Sequence, residues 1–502
     1  MNLDFITRKL QIQFGNKPIS CALLYFVSAS SKTEISEVIH SLMFDIDIST
    51  QTGTDLFDII VSQCIPYAFL SVRTNRIGVA NSLLSGNSIL LIDGQDKAIE
   101  LKTEQFKQRS VTSPQTEQVI QGPREGFTES LITNISLVRK RLRSPNFRVE
   151  LIQIGKQAAI NVAYCYMEGI VNENLVKEVK KRLLSVDTDT LYGSGYLEQF
   201  IEDNRFSPFP QVQNTERPDR AAANVLEGRV LIIVDGTPFV LIVPAIFSQF
   251  YQTTEDYDTR FLMASFIRMI RVVSLLFSLI FPSIYISLIS FNPEMIPTKF
   301  AVAVAGGRAG VPFPAIVEIF GIELIMEILR EATIRLPQQV GGALSIVGVL
   351  VIGQAAVQAG FVSPITVVIV ALTTIGSFAT PAYNAAIALR MLRFPIMFLA
   401  GMFGLYGVMI GLILIAVHLN SLESFGVPYL TPIVPFSKEG IKDSIFRFPS
   451  WMMKKRPEDL KTKDRTRIED SGLDQKGRPL TPSDPDSEDQ NYPSNHSLLS
   501  ED

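Results

Sequence analysis

Glu323, Glu327 and Glu331 recur at i, i+4 and i+8 in AIVEIFGIELIMEILREATIR, residues 315–335, a stretch of helical apolar pattern. That spacing stacks three carboxylates on one helix face, with Arg330 and Arg335 at its edges and Ile and Leu around the rest. Beside membrane spans such a stripe has two uses. It can line a watered path that attracts cations, or it can lie at the bilayer surface and meet bulk water. Gln354 and Gln358 repeat the i, i+4 spacing among Gly348, Gly353, Ala355, Ala356, Ala359 and Gly360. Small residues let helix backbones approach and buried amides need partners or water, so this pair either packs helices or lines the same path. Groups for covalent chemistry are missing. No GxxxxGK(S/T), strand-following GxGxxG, HExxH or GxSxG occurs. Cys21, Cys64, Cys165, His40, His418 and His496 are too few and too scattered for a disulfide framework or a zinc site. No enzyme activity, cofactor or metal is expected. His418, near the end of the last apolar run, suits either a proton relay or a place at the interface.

The elements that must hold these residues follow from where charge disappears. The chain has 502 residues, 47% hydrophobic and 19% charged, with 46 Lys and Arg against 50 Asp and Glu and a net charge of -4. It is too apolar to be globally disordered, and its charge balance gives no reason to bind nucleic acid. The mean hydropathy of +0.23 is high for an ordinary soluble chain, so the apolar residues are unevenly placed. Residues 272–293, 336–389 and 394–422 carry no charged side chain. At roughly 20 apolar residues per crossing, the first and third runs hold one span each and the second holds two. Arg260, Arg268 and Arg271 before the first span, and the basic stretch from Lys454 to Arg467 after the last, place both ends in the cytoplasm. Four simple crossings would then leave Arg390 and Arg393 outside, against the same rule, unless residues 294–335 hold a fifth crossing or a re-entrant piece. The N-terminus, MNLDFITRKL, has no apolar core before a cleavage site, so no signal peptide is expected and residues 1–260 should remain cytoplasmic. Asn134-Ile135-Ser136 therefore does not count as a glycosylation acceptor.

The polar zone contains a repeat. SGNSILLIDG, ending at Gly94, returns as EGRVLIIVDG, ending at Gly236, 142 residues later, each an aliphatic run closed by a hairpin-forming Asp-Gly pair. Upstream, CALLYFVSAS before TEISEVIHSLM resembles VAYCYMEGI before ENLVKEVKKRLLSV. The expected architecture is an α/β N-terminal cytoplasmic region of two related subdomains (1–145 and 146–260), followed by an all-α polytopic transmembrane domain of four to six spans (261–425). An interfacial segment (426–453) and a disordered polar tail (454–502) complete it, the tail being too poor in apolar residues to bury a core. Pro364, Pro381 and Asn384 should bend the stretch they interrupt. In ERPD, Arg217 is placed to pair with Glu216 or Asp219 in a turn before a helix, with Pro218 at its first position.

The block PQVQNTERPDRAAANVLEGRVLIIVDGTPFVLIVPAIFSQFYQTTEDY, Pro210 to Tyr257, resembles the signature of A subunits of GerA-type spore germinant receptors. It includes Glu216, Arg217, Pro218, Asp219, Asp235 and Gly236. GPREGF with NISLVRKRL, ILREATIRLP and SIVGVLVIGQAAVQAGFVSP are similar to the same family's other blocks, so the likeness runs from about residue 120 to 410. The resemblance implies an integral protein of the bacterial spore inner membrane, working with a transporter-like B subunit that binds the nutrient and a lipoprotein C subunit. It also implies assembly of the A subunit into a homo-oligomeric, cation-conducting element. Two other functions remain open at this stage. One is a secondary transporter of a small solute, built around a broken helix near Pro381 and Asn384. The other is a non-conducting scaffold, or the family's paralogue linked to dipicolinate release, although DGTPFVLIVP looks closer to receptor A subunits.

Overall fold

A computed structural model of the chain describes residues 4–14, 17–44, 57, 60, 70–104, 113, 114, 116–334 and 353–468. Its first subdomain contains β1 (Phe5–Phe14), β2 (Lys17–Phe26), α1 (Lys32–Phe44), β3 (Leu70–Arg73), α2 (Arg76–Leu84), β4 (Ser88–Ile92) and β5 (Ala98–Leu101). After α3 (Leu131–Arg141) come β6 (Phe147–Ile154), β7 (Ile160–Met167), α4 (Glu173–Leu184), α5 (Ser194–Ile201), β8 (Gln213–Thr215), α6 (Pro218–Leu226), β9 (Val230–Val234) and β10 (Val240–Val243). The two five-stranded sheets have the same order, β1-β2-β4-β5-β3 and β6-β7-β9-β10-β8, antiparallel at every pairing. Equivalent contacts recur at their hairpins, where Asp93 N–H donates to Ser20 at 2.9 Å and Asp235 N–H to Asn161 at 3.0 Å. Both turns use five residues, and Gly94 (φ 81°) and Gly236 (φ 85°) supply the left-handed conformation.

The sequence VLIIV fails to alternate because β9 is buried on both faces. Leu231 and Ile233 pack with α3 and α6, whereas Val230, Ile232 and Val234 pack with α4 and α5. α4 forms because Asn172 caps it, accepting from Asn174 N–H at 3.0 Å, and because Leu175, Val179 and Leu183 make one buried stripe. Asn134 is buried and bonds both ways to Thr128, which removes it from any acceptor role in the folded chain. Cys21 and Cys165 are buried packing residues, and burial pushes the Cys21 thiol up to about 11.

The helical half begins after the short α7 (Glu255–Asp258) with α8 (Phe261–Ser290), α9 (Thr298–Arg308) and α10 (Ala315–Ile334), and continues with α11 (Pro364–Ser377), α12 (Tyr383–Phe403) and α13 (Leu405–Ser421). Among the described residues, α8 and α12 are long and apolar enough to cross a membrane, and α11 and α13 are shorter apolar helices. Three expectations change. Arg390 and Arg393 lie inside α12, so they are not loop charges and the orientation rule does not apply to them. The apolar run 394–422 is two helices, broken at Gly404 (φ 62°), where a Cβ would press to 3.0 Å from Phe291. Pro364 starts α11 and Pro381 sits between α11 and α12, so these prolines separate helices; among the described residues Pro282 and Pro395 lie inside helices.

A fourth difference concerns the tail. Residues 454–468 fold back onto the second subdomain, where Arg456 Nε donates to the Leu226 carbonyl at 2.8 Å and Lys463 N–H to that of Ile170 at 3.0 Å. Leu460 is buried with Ile246 and Val427. Low apolar content did not prevent order here because the segment satisfies carbonyls at the ends of existing elements. Residues 469–502 lie outside the described residues.

The subdomains meet at Arg139 of α3, fully buried, which pairs with Asp4 at 2.6 Å and stacks on Phe26 at 4.4 Å and Phe147 at 5.1 Å. Arg139→Ala strands Asp4 and should cost about 3–5 kcal/mol. Limited proteolysis would then separate the two subdomains at temperatures at which the parent stays intact. In α5, burial and then the charge of Glu202 one turn on push the Glu198 carboxyl from 4.5 up to about 8. The folded state therefore holds this proton longer than the unfolded chain does, and stability falls as pH rises from 4.5 to about 8. Thermal melts should show Glu198→Gln flattening that slope and gaining on the parent above pH 8.

Candidate functional site

The carboxylates of α10 are set by its own periodicity, and their partners come from α9, the start of α11, α12 and α10 itself. Glu318 is buried, accepts from Ser363 N–H at 2.6 Å and faces Arg308 at 3.4 Å, which ties α9 and α10 to the N-terminus of α11. Glu323, 1% exposed, pairs with Arg393 of α12 at 2.6 Å; Arg393 is 2% exposed. Glu327 receives Arg330 at 2.6 Å and Arg390 at 3.5 Å. Arg330 also donates to Ser377 Oγ at 3.2 Å and lies 5.2 Å over the Phe378 ring, so it closes α10 against the end of α11. Glu331 is exposed. The stripe is thus graded from a sealed ion pair at Glu323, through the half-covered Glu327, to the surface. Glu323 is not wetted within the protomer, contrary to the interfacial alternative.

Gln354 and Gln358 are exposed on a short helical stretch, while Gly353 and Ala356 line an apolar cavity of about 350 Å³ together with Gly321 and Ile325 of α10. The small residues therefore do the packing, and among the described residues neither amide bonds a carboxylate of α10. Arg335 and Gly348 lie outside the described residues.

The Glu216–Asp219 turn proves to be a junction. Pro218 occupies the first turn of α6, and the buried Arg217 pairs with Asp219 at 2.7 Å and donates to the carbonyls of Pro123 at 2.9 Å and Glu117 at 3.3 Å. Glu216 accepts from Thr116 N–H at 3.2 Å. Arg220 pairs with Glu117 and donates to the carbonyls of Gln249 at 2.8 Å and Gln252 at 3.2 Å. Asp235 accepts from Leu131 N–H at 3.0 Å, and Gly236 N–H donates to Glu129 at 2.8 Å, which anchors the start of α3.

The second cluster was not anticipated from sequence. Arg268, fully buried one to two turns into α8, bonds Asp256 at 3.1 Å and Asp443 at 3.0 Å, and Arg271 bonds Asp256 at 3.2 Å and the Tyr251 carbonyl at 2.7 Å. These guanidiniums, together with hydrogen bonds, hold the Asp256 carboxyl below the usual range despite its burial. His418, in the last turn of α13, lies 2.9 Å from Ser207 Oγ and packs on Phe209, which makes it a contact between the helices and the second subdomain. The available signal was the appearance of arginines within apolar stretches, since a desolvated guanidinium requires an acid nearby. Among the described residues no group of His, Cys, Asp and Glu could hold a metal ion.

Breaking the Glu323–Arg393 pair from one side leaves a buried charge. Glu323→Leu and Arg393→Leu should each cost about 3–5 kcal/mol, and the double replacement less than their sum. Thermal melts of the detergent-solubilised protein would measure the coupling.

Comparison with known proteins places this arrangement. A profile described as Bacillus/Clostridium GerA spore germination protein matches residues 1–459. The chain is 45% identical over 477 residues to "Spore germination protein KA" of Bacillus subtilis (strain 168), covering 95% of this chain and 86% of that protein. It is 39% identical over 447 residues to "Spore germination protein GerLA" of Bacillus cereus, covering 89% and 90%. A crystal structure of the N-terminal domain of the A subunit of the Bacillus megaterium spore germinant receptor GerK3 aligns at 34% identity and a TM-score of 0.38, covering 49% of this chain and 90% of that one. The match through both the paired α/β subdomains and the charged helical half shows that this chain belongs to the GerA family of spore germination proteins.

Proposed function

We propose that this chain is a membrane subunit of a germinant receptor that starts spore germination. In this reading copies of it assemble into an oligomer that conducts cations and is gated through partner subunits, a transporter-like B subunit and a lipoprotein C subunit. The site is the spore inner membrane, with the α/β region on the cytoplasmic side. Family membership supports the receptor assignment. The observation that carries the channel reading is the graded acidic face of α10, sealed at Glu323 and accessible at Glu331, within a group of apolar helices. A closed state is supported by the arginines that occupy Glu323 and Glu327. Gating then requires a second arrangement of α10 against α12 in which Glu327 exchanges Arg330 or Arg390 for a passing cation, and a partner shifts the equilibrium by binding that arrangement better. Contacts from the Arg456 segment back to α6 support an even number of crossings between them, because both ends of the helical half then share one side.

A non-conducting scaffold is the second reading, favoured by the same pairing of Glu323 with Arg393 inside one protomer. Electrical recording from the reconstituted full chain separates the two. The channel reading expects a cation-selective conductance that falls several-fold in Glu327→Gln and Glu331→Gln, with normal protein level and assembly. Absence of conductance with intact oligomers would favour the scaffold.

A further inference from the structure

The segment between α13 and the Arg456 contacts carries an unusual surface. Ile433, Val434, Phe436, Phe446, Trp451 and Met452 are all exposed, Phe436 at 66%, Phe446 at 51% and Trp451 at 41%. Next to Phe446, Arg447 ties the segment to the start of α8 by polar contacts. The Ser265 hydroxyl accepts from Arg447 N–H at 3.0 Å and donates to the Arg447 carbonyl at 2.9 Å, and Arg447 Nη1 donates to Thr259 at 2.9 Å. The Trp451 ring meets Phe261 edge-on at 6.0 Å, and Trp451, Leu262 and Met263 border one shallow cleft. The exposed apolar surface of this segment therefore continues into that of α8, where Leu262, Met263 and Phe266 are also exposed.

The length of α8 sets the level at which this happens. At about 1.5 Å per residue its 30 residues extend about 45 Å, whereas a bilayer's hydrocarbon is about 30 Å thick, so the first turns stand in the headgroup layer. Arg268 and Arg271 in those turns are neutralised by Asp256 and Asp443, so the helix carries no unpaired charge inward from there. Arg260, Lys438 and Lys455 are exposed in or beside the segment, where cations favour lipid phosphate. Aromatic residues beside basic ones, at the mouth of a spanning helix, have the composition of a membrane–water interface.

We propose that residues 433–452 form a collar lying in the membrane–water interface around the start of α8, with lipid headgroups and the adjoining acyl chain as its partner. The collar rests on the reading of this chain as a membrane subunit. It fixes the depth of α8, and through Asp443 it fixes the Arg268 junction. Trp451 is the single tryptophan of the chain and reports on the collar directly. The full chain would be reconstituted in phosphatidylcholine vesicles containing phosphatidylglycerol, with bromines placed either near the lipid carbonyls or near the methyl ends. The expected result is loss of Trp451 emission, larger with the shallow bromines than with the deep ones, and little quenching by aqueous iodide. A W451F/L276W variant carries its reporter midway along α8 and should respond more to the deep bromines. If the α8 reporter is quenched by lipid while Trp451 is reached only by iodide, the collar is overturned. Protection of Trp451 from both quenchers, as contact with a second copy would give, also overturns it. If neither position responds to lipid, the membrane reading itself fails.

Discussion

A guanidinium removed from water must be given a charge partner by the fold, and among the described residues four fully buried arginines are each given one. Arg139, Arg217, Arg268 and Arg393 head its largest fully buried side chains. Each lies where distinct elements meet: the two sheets, the turn before α6 with residues 117–123, α8 with Asp256 and Asp443, and α10 with α12. A buried ion pair adds little net stability compared with well-packed apolar residues, but the loss of one partner is severe. These arginines therefore act mainly on arrangement. They penalise any packing in which a junction opens without a substitute acid, and they make the junctions the places where two discrete states can exist.

The sheets and the hairpins were legible in the sequence because their signals are local. A four-residue aliphatic run closed by Asp-Gly identifies a hairpin wherever it occurs, and its return 142 residues later exposes the duplication. Pro218 was placed correctly at the start of a helix for the same reason, since its fixed φ and missing N–H act within one turn. The spacing of Glu323, Glu327 and Glu331 revealed their common face but not its burial. What seals Glu323 is Arg393, 70 positions away, and no periodicity within α10 carries that information.

The helix boundaries differ from expectation for two reasons. Ending a span at each charge treats every arginine as solvated, whereas Arg390 and Arg393 continue α12 because acids from α10 meet them. Gly404 was the stronger punctuation, a positive φ beside Phe291, and an uninterrupted apolar run concealed it. Residues 454–468 depart from the composition-based expectation for a related reason. Composition measures how much core a segment could build alone, whereas Arg456 and Lys463 fold by completing carbonyls that already exist on a neighbour.

That return of Arg456 to Leu226, across 230 positions, also orders events during synthesis. The second sheet can close as soon as β10 leaves the ribosome, but its outer surface at α6 stays incomplete until α8 to α13 and the collar have been made. Loop closure over such a separation is slow unless the intervening helices have already brought the ends together. Docking of Arg456 on the end of α6 therefore requires α8 to α13 to have been made, so it follows closure of the second sheet and does not guide it.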